Sequence, residues 1–458
     1  MGVQTVTDAP APELSTRRER VGWYFYDWAN SAFATTVVSV FLGPYLTHIA
    51  EHAAHGASRL HPLGIPVAPG SVFPYTVSLS VLCQVLVLPV VGAIADRSSH
   101  KKQLLALFAY VGAAATVAFA FVNGGRYLLG VGLFIVANVA LGGSSVIYNS
   151  FLPQLAGPED RDKVSAVGWA IGYIGGGVLL ALNLAVFTYV SGLDVSDSTA
   201  DHYGWLVARW SIVSAGVWWA AFTVLPLIRL RNRPAVAGEA TGSVLTDGFR
   251  QLRRTLREMR GYPLTLAFLG AYIVYNEGIQ TVITMASVFA DKQLGLSKNV
   301  QIETILLVQF VAFGGALWLG RLARRYGSRN TVAASLLVWM VTLVIAYFLP
   351  HGSAVPFMLL GALIAIVLGG SQALSRSIFS QLIPHGREAE YFGVYEISSD
   401  GTTWLGPLAF GLAYQITGNY RIAIVSMLVF FVVGFAALLA VPLRRAIEAA
   451  GNTPPHRV

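Results

Sequence analysis

Two loops of this chain are near copies of one another, placed half a chain apart. The string GAIADRSSHK, Gly92 to Lys101, aligns without a gap on GRLARRYGSR, Gly320 to Arg329, in a chain of 458 residues. A second echo keeps almost the same offset: LGGSS at Leu141 to Ser145 falls on LGGSQ at Leu368 to Gln372. The register then continues, with Ser150, Gln154 and Leu155 on Ser377, Gln381 and Leu382. Both loops follow long apolar segments. A repeat of this length between apolar segments restricts the chain to a membrane protein built from two parallel halves.

Composition agrees. The chain is 55% hydrophobic and 12% charged, against roughly 25% charged for a soluble domain. Its 46 glycines suit tightly packed membrane helices. The one cysteine, Cys83, excludes an internal disulfide and leaves the redox compartment unread. The first apolar run contains YFYDWAN, too polar and aromatic for a cleavable signal core.

A membrane-crossing helix needs about 20 mostly apolar residues. Twelve such segments are expected, near 23–47, 72–95, 103–123, 127–150, 164–190, 205–228, 263–290, 301–320, 331–349, 355–379, 391–416 and 420–442. The expected fold class is an all-α membrane protein with twelve transmembrane helices in two pseudo-symmetric six-helix bundles. The divisions are an N-tail 1–22, a first bundle 23–228, a linker 229–262, a second bundle 263–442 and a C-tail 443–458.

Positive charge supplies the orientation. Of 31 Lys and Arg, only Arg59, Arg126, Arg209, Lys292, Lys298 and Arg421 fall on one side, and Arg376 lies within a span. The remaining 24 fall on the side shared by both termini. This bias places both termini in the cytoplasm of a multi-pass protein of the inner cell membrane. The net charge of +8 therefore reads as topology and anionic lipid, not nucleic acid. Within the linker, Phe249, Leu252 and Leu256 recur at helical spacing among arginines. The pattern reads either as an amphipathic helix on the inner leaflet or as a solvated linker helix.

Polar residues inside spans carry the functional argument, because a mid-span charge costs about 2.5–3.5 kcal/mol and faces a cavity or a partner. Span 7 sets Tyr272, Asn276, Gln280 and Thr284 four residues apart, with Glu277 and Thr281 beside them. Burial favours reversible protonation of a carboxyl, so Glu277 leads the proton-coupling candidates; the alternative is a structural helix-to-helix hydrogen bond. Span 1 offers Asp27 and Asn30 among Trp23, Tyr26 and Trp28, as a gate or as an interfacial aromatic cluster. Span 11 puts Glu396, Ser399, Asp400 and Thr403 on one face. Two acids one turn apart repel, so one is protonated or paired, and Arg376 late in span 10 is the expected partner. Asp27, Glu396 and Asp400 join Glu277 as proton-coupling candidates. Candidate substrate contacts are Tyr26, Asn30, Tyr148, Asn149, Tyr272, Asn276, Gln280, Gln372 and Arg376. Gly168, Gly172 and Gly176 in span 5 form a close-packing face, and Gly406-Pro407 announces a kink in span 11. His48, Glu51, His52 and His55 cluster after span 1, as exposed histidines and not as a metal site. No phosphate-cradling Gly-x-x-x-x-Gly-Lys string, nucleophile string or Cys/His zinc pattern occurs, so ATP, enzymatic chemistry and a cofactor are not expected.

The string Gly-x-x-x-Asp-Arg-x-x-x-Lys-Lys, Gly92 to Lys102, resembles the signature loop of the major facilitator superfamily. Tyr26-Asp-Trp-Ala-Asn-Ser-Ala-Phe33, Tyr148-Asn-Ser-Phe-Leu-Pro153, the glycine-rich start of span 5 and Tyr275-Asn-Glu-Gly-Ile-Gln280 resemble the autophagy-related vacuolar effluxers within it. The resemblance covers all twelve spans. It implies a cytoplasmic gate at Gly92, Asp96, Arg97 and Arg324, asymmetric because Arg324 stands where Asp96 does in the first half. It implies a cavity lined by spans 1, 4, 7 and 10. It implies a monomeric secondary transporter meeting a small-molecule substrate, protons and lipids, with a neutral amino acid as the expected cargo. A proton-driven drug or metabolite exporter and a non-transporting scaffold or lipid-handling protein are the alternatives.

Overall fold

The computed structural model describes residues 15–191, 197–233, 254, 255, 257–400, 403 and 405–457. Thirteen helices organise it: α1 (Arg17–Ala54), α2 (Val72–Asp96), α3 (Lys101–Val117), α4 (Tyr127–Ser150), α5 (Arg161–Ser191), α6 (Asp197–Arg229), α7 (Pro263–Val288), α8 (Lys298–Tyr326), α9 (Ser328–Phe348), α10 (Ala354–Gln381), α11 (Glu388–Asp400), α12 (Leu405–Thr417) and α13 (Tyr420–Ala440). Among the described residues there is no strand, only an isolated antiparallel bridge between Leu60 and Val67. A capping box opens α1: the Thr16 side chain accepts from Glu19 N–H, and the Glu19 carboxylate accepts from Thr16 N–H. In its middle α1 widens into a π-helix, Phe33–Phe41, which nothing in the sequence announces.

Among the described residues ten helices are long and apolar enough to cross a membrane. Of the twelve expected segments, the seventh and eleventh are not among these ten. Helix α7 has the length, at 26 residues, but Asn276, Glu277 and Gln280 pull its hydropathy down. Segment 11 is two helices of 13 residues each. Between them Thr403 lies in a turn, just ahead of Gly406-Pro407, where the sequence predicts a kink.

Buried apolar side chains gather in two cores. One runs from Trp23 to Leu230, and the other from Met259 to Ile447. Ala389, at the start of α11, is a member of the first core, so the second half inserts a helix end into the first. The outward faces carry exposed apolar side chains such as Leu82, Leu86, Val186, Leu359 and Val429, the surface that hydrocarbon solvates. The glycine face of α5 packs on α1. A Cβ at Gly175 would lie 2.5 Å from the Trp28 carbonyl oxygen, and one at Gly176 would lie 2.6 Å from Thr35 Oγ1. Of the linker's arginine-rich stretch, residues 248–253 and 256 lie outside the described residues.

Candidate functional site

The densest polar cluster joins the two halves around Arg376, which is 4% exposed. Its Nε donates to Ser165 Oγ at 2.9 Å. One terminal nitrogen donates to Asn149 Oδ1 at 3.1 Å, and the other to the Ser165 carbonyl at 3.0 Å. The guanidinium lies over the rings of Trp23, Tyr148 and Trp169, 5.0, 5.7 and 5.6 Å from their centroids. Asp27 Oδ2 sits 3.7 Å from the guanidinium and accepts the Tyr148 hydroxyl at 2.6 Å. Asn149 turns its other end to the second half and donates to Glu396 Oε1 at 2.6 Å. Helices α1 and α4 thus meet α10 and α11 through one chain, Tyr148–Asp27–Arg376–Asn149–Glu396, and α5 joins it where Ser165 binds Arg376. Among the described residues Arg376 pairs with Asp27 of α1, and Asn149 bridges it to Glu396, one of the two span 11 acids expected to pair with it. The side chain of Asp400 lies outside the described residues. Gly168 makes room, since a Cβ there would lie 2.7 Å from Asp27 Oδ2.

A second junction joins the two halves at the end of the molecule that carries the basic loops. Asp96, at the last turn of α2, accepts the backbone N–H groups of Ala389 at 2.9 Å and Glu390 at 2.8 Å, and Lys101 Nζ at 3.1 Å. A carboxylate thereby occupies the exposed N–H groups and positive dipole end of α11. Gly92 is pressed against the same helix end, where an added Cβ would lie 2.5 Å from the Ala389 carbonyl oxygen. Arg161 works with the opposite sign. It donates at 3.0 Å to the Ser380 carbonyl, in the last turn of α10. The pseudo-symmetric position Gly320 meets Ala166 at the start of α5. Arg324 is exposed and Arg97 half-buried. An arginine cannot serve a helix N-terminus, so only the first of the two repeated loops caps its partner helix.

The polar stripe of α7 grips α11 and α12. Tyr272 Oη donates to Ser399 Oγ at 3.2 Å, and Asn276 Nδ2 to the Ser399 carbonyl at 3.2 Å. Glu277 Oε1 accepts the backbone N–H of Gly406 at 2.6 Å, acting as an N-cap supplied from a neighbouring helix. A leucine at 277 leaves that buried N–H without its acceptor, at about 1–3 kcal/mol. We expect Glu277→Leu to melt well below the parent protein and Glu277→Gln, which keeps an acceptor oxygen, to stay close to it; equal melting temperatures would remove the capping role. Tyr26 is buried with its ring 5.1 Å from that of Tyr148. Asn30, Gln280 and Gln372 are half-buried along their helices. His48 stacks on Trp205 at 4.0 Å, and among the described residues no group of three His, Cys, Asp or Glu could hold a metal ion.

Sequence reading missed Ser165, Trp169 and Arg161. Ser165 and Trp169 lie in the glycine-rich string of span 5, where the glycines drew attention from the side chains between them. Arg161 was counted only as a topology charge.

The model of the family described as vacuole effluxer Atg22 like matches residues 15–451. The chain belongs to this family. A relative in Bacillus subtilis, an uncharacterized MFS-type transporter, is 29% identical over 430 residues, covering 93% of this chain and 95% of its own. Autophagy-related protein 22-1 of Penicillium rubens is 25% identical over 549 residues, covering 94% and 91%. Among solved structures, the E. coli fucose:proton symporter aligns over 92% of this chain and 97% of its own, with TM-score 0.66 and 12% identity. A bacterial homologue of the iron transporter ferroportin, in an outward-facing state, covers 92% and 98% with TM-score 0.64 and 14% identity. The fold of this Atg22-like chain is that of the major facilitator transporters, and its long apolar helices are those of a multi-pass membrane protein.

Proposed function

We propose that this protein is a monomeric secondary transporter in which two six-helix bundles rock about a central site, moving a small solute together with protons. In this reading twelve helices cross the membrane, α11 and α12 forming one broken crossing, and both termini face the cytoplasm on the basic side. One observation carries the reading: the buried Arg376–Asp27 pair, with Asn149 and Glu396, spans the two halves at the end closed by Asp96. A buried ion pair between bodies that must separate is a bolt whose strength depends on protonation. A proton on Asp27 removes the charge that faces Arg376 and weakens the junction. Glu277 carries the second protonation site, at the break in segment 11.

The cargo class follows from the same chemistry. A zwitterion can offer a carboxylate to Arg376 and an ammonium group to Asp27 or Glu396 without adding net charge to the site. A neutral amino acid is the smallest common solute of that kind. The decisive experiment uses proteoliposomes and radiolabelled neutral amino acids, with and without a pH gradient. The parent protein is expected to accumulate label against its gradient. Asp27→Asn is expected to retain exchange across the membrane while losing accumulation driven by the pH gradient. Gradient-driven accumulation equal to the parent in Asp27→Asn would end the assignment of the proton to this acid. Transport of bulky cations in place of amino acids would favour the exporter.

A further inference from the structure

The segment that follows the last long helix crosses from one half of the molecule to the other. After the short helix Leu443–Ala449, Asn452 donates from Nδ2 to the carbonyls of Gln381 at 2.9 Å and Ile383 at 2.8 Å. Gln381 ends α10 and Ile383 lies just past it, so Asn452 anchors the segment on the second half. Pro455 is buried. One residue further, the backbone N–H of His456 donates to Glu159 Oε1 at 2.7 Å. Glu159 stands in the loop before α5, in the first half. Arg457 then donates to the carbonyl of Arg325, at the end of α8. Two prolines, Pro454 and Pro455, stiffen the span between the anchors.

These contacts lie at the end sealed by Asp96 on α11 and by Arg161 on α10. Both seals must break for that end to open. The segment bridges the two bodies without belonging to either core, since none of its residues joins the buried apolar clusters. From this placement we propose that residues 452–457 are a strap that holds the basic end of the transporter closed, and that opening toward the cytoplasm requires the strap to leave Glu159. The strap adds binding free energy only to the closed form, so it lowers the open population by mass action. It rests on the alternating-access reading and adds a regulatory element to it. Any agent that takes residues 452–457 away from Glu159 raises the open population.

The test is a distance measurement on the full-length protein in nanodiscs, with Cys83→Ser and nitroxide labels at His100 and Arg321, both exposed on opposite halves. Four samples are compared: the parent, a chain ending at Gly451, Glu159→Ala and Lys163→Ala. Lys163 is exposed on the same end of α5 and serves as the control. The shortened chain and Glu159→Ala are expected to raise the long-distance population several-fold, while Lys163→Ala matches the parent. Unchanged distributions in both strap variants would overturn the proposal. Should the shortened chain fail to fold, Glu159→Ala and Asn452→Ala decide alone. A parent distribution that moves with pH or with added neutral amino acid keeps the transport reading intact even if the strap fails; a parent that never moves removes the reading beneath it.

Discussion

Arg376→Ala is expected to lose several kcal/mol of stability and all transport. The guanidinium holds Ser165 twice, Asn149 once and Asp27 electrostatically, and it covers three aromatic rings. Removing one partner of a buried pair leaves an uncompensated charge, at about 3–5 kcal/mol. Here the orphan is Asp27, held only by the Tyr148 hydroxyl. Asn149 also loses its donor and with it the fixed orientation that points its amide at Glu396. Arg376→Lys keeps the charge but not the planar fork, so it should fall between alanine and the parent. The double variant Asp27→Asn with Arg376→Met should recover much of the lost stability, because neither charge is then stranded. Melting curves in detergent, read by intrinsic fluorescence, check all three against the parent. Arg376→Ala melting with the parent would mean that the cluster contributes nothing to joining the halves.

The second large effect is a shift in conformation. Gly92→Leu places a branched side chain where even a Cβ lies 2.5 Å from the Ala389 carbonyl oxygen and 3.0 Å from Glu390 Cα. Backbone on the far side cannot rotate away as a side chain can. The strain is relieved only if α2 and α11 separate, and separation also costs Asp96 its two N–H donors. Overpacking of this kind costs about 1–3 kcal/mol, and roughly 1.4 kcal/mol already moves a two-state equilibrium tenfold. Gly92→Leu is therefore expected to fold, to populate the form open at the basic end, and to lose accumulation of substrate. Labels on the two repeated loops read the opening directly. A distribution identical to the parent would show that the contact is not part of the seal.

The sequence made several of these features visible for definite physical reasons. Gly92 and Asp96 stood out because a repeated loop shows which positions depart from its copy. The glycines of α5 stood out because four-residue spacing marks one helix face. Glu277 and Arg376 stood out because a charge inside a span needs a partner. Which partner it finds is a matter of distance between helices far apart in sequence. Asp27 and Arg376 are separated by more than three hundred residues, and no periodicity links them. Glu277 capping Gly406 required knowing that segment 11 is broken, and the twelve-span expectation treated it as continuous. The π-helix in α1 leaves no local signal, since Phe33–Phe41 reads as an ordinary apolar helix. The strap was read only as a C-tail, because each of its contacts joins a side chain to a backbone group far away in sequence, and a backbone group leaves no sequence signal.

Asn149 and Arg376 occupy equivalent positions of the internal repeat, and they touch each other at 3.1 Å. Equivalent positions that meet must lie close to the pseudo-twofold axis relating the halves. If the repeat arose by duplication of a half-length gene whose product assembled in pairs, this position once faced its own copy. A paired arginine would then have met an arginine and repelled it, whereas a paired asparagine could exchange hydrogen bonds with its twin. A buried cation on the axis becomes affordable only after fusion lets the two positions diverge. The bolt across this protein is thus of a kind that a symmetric ancestor could not have carried.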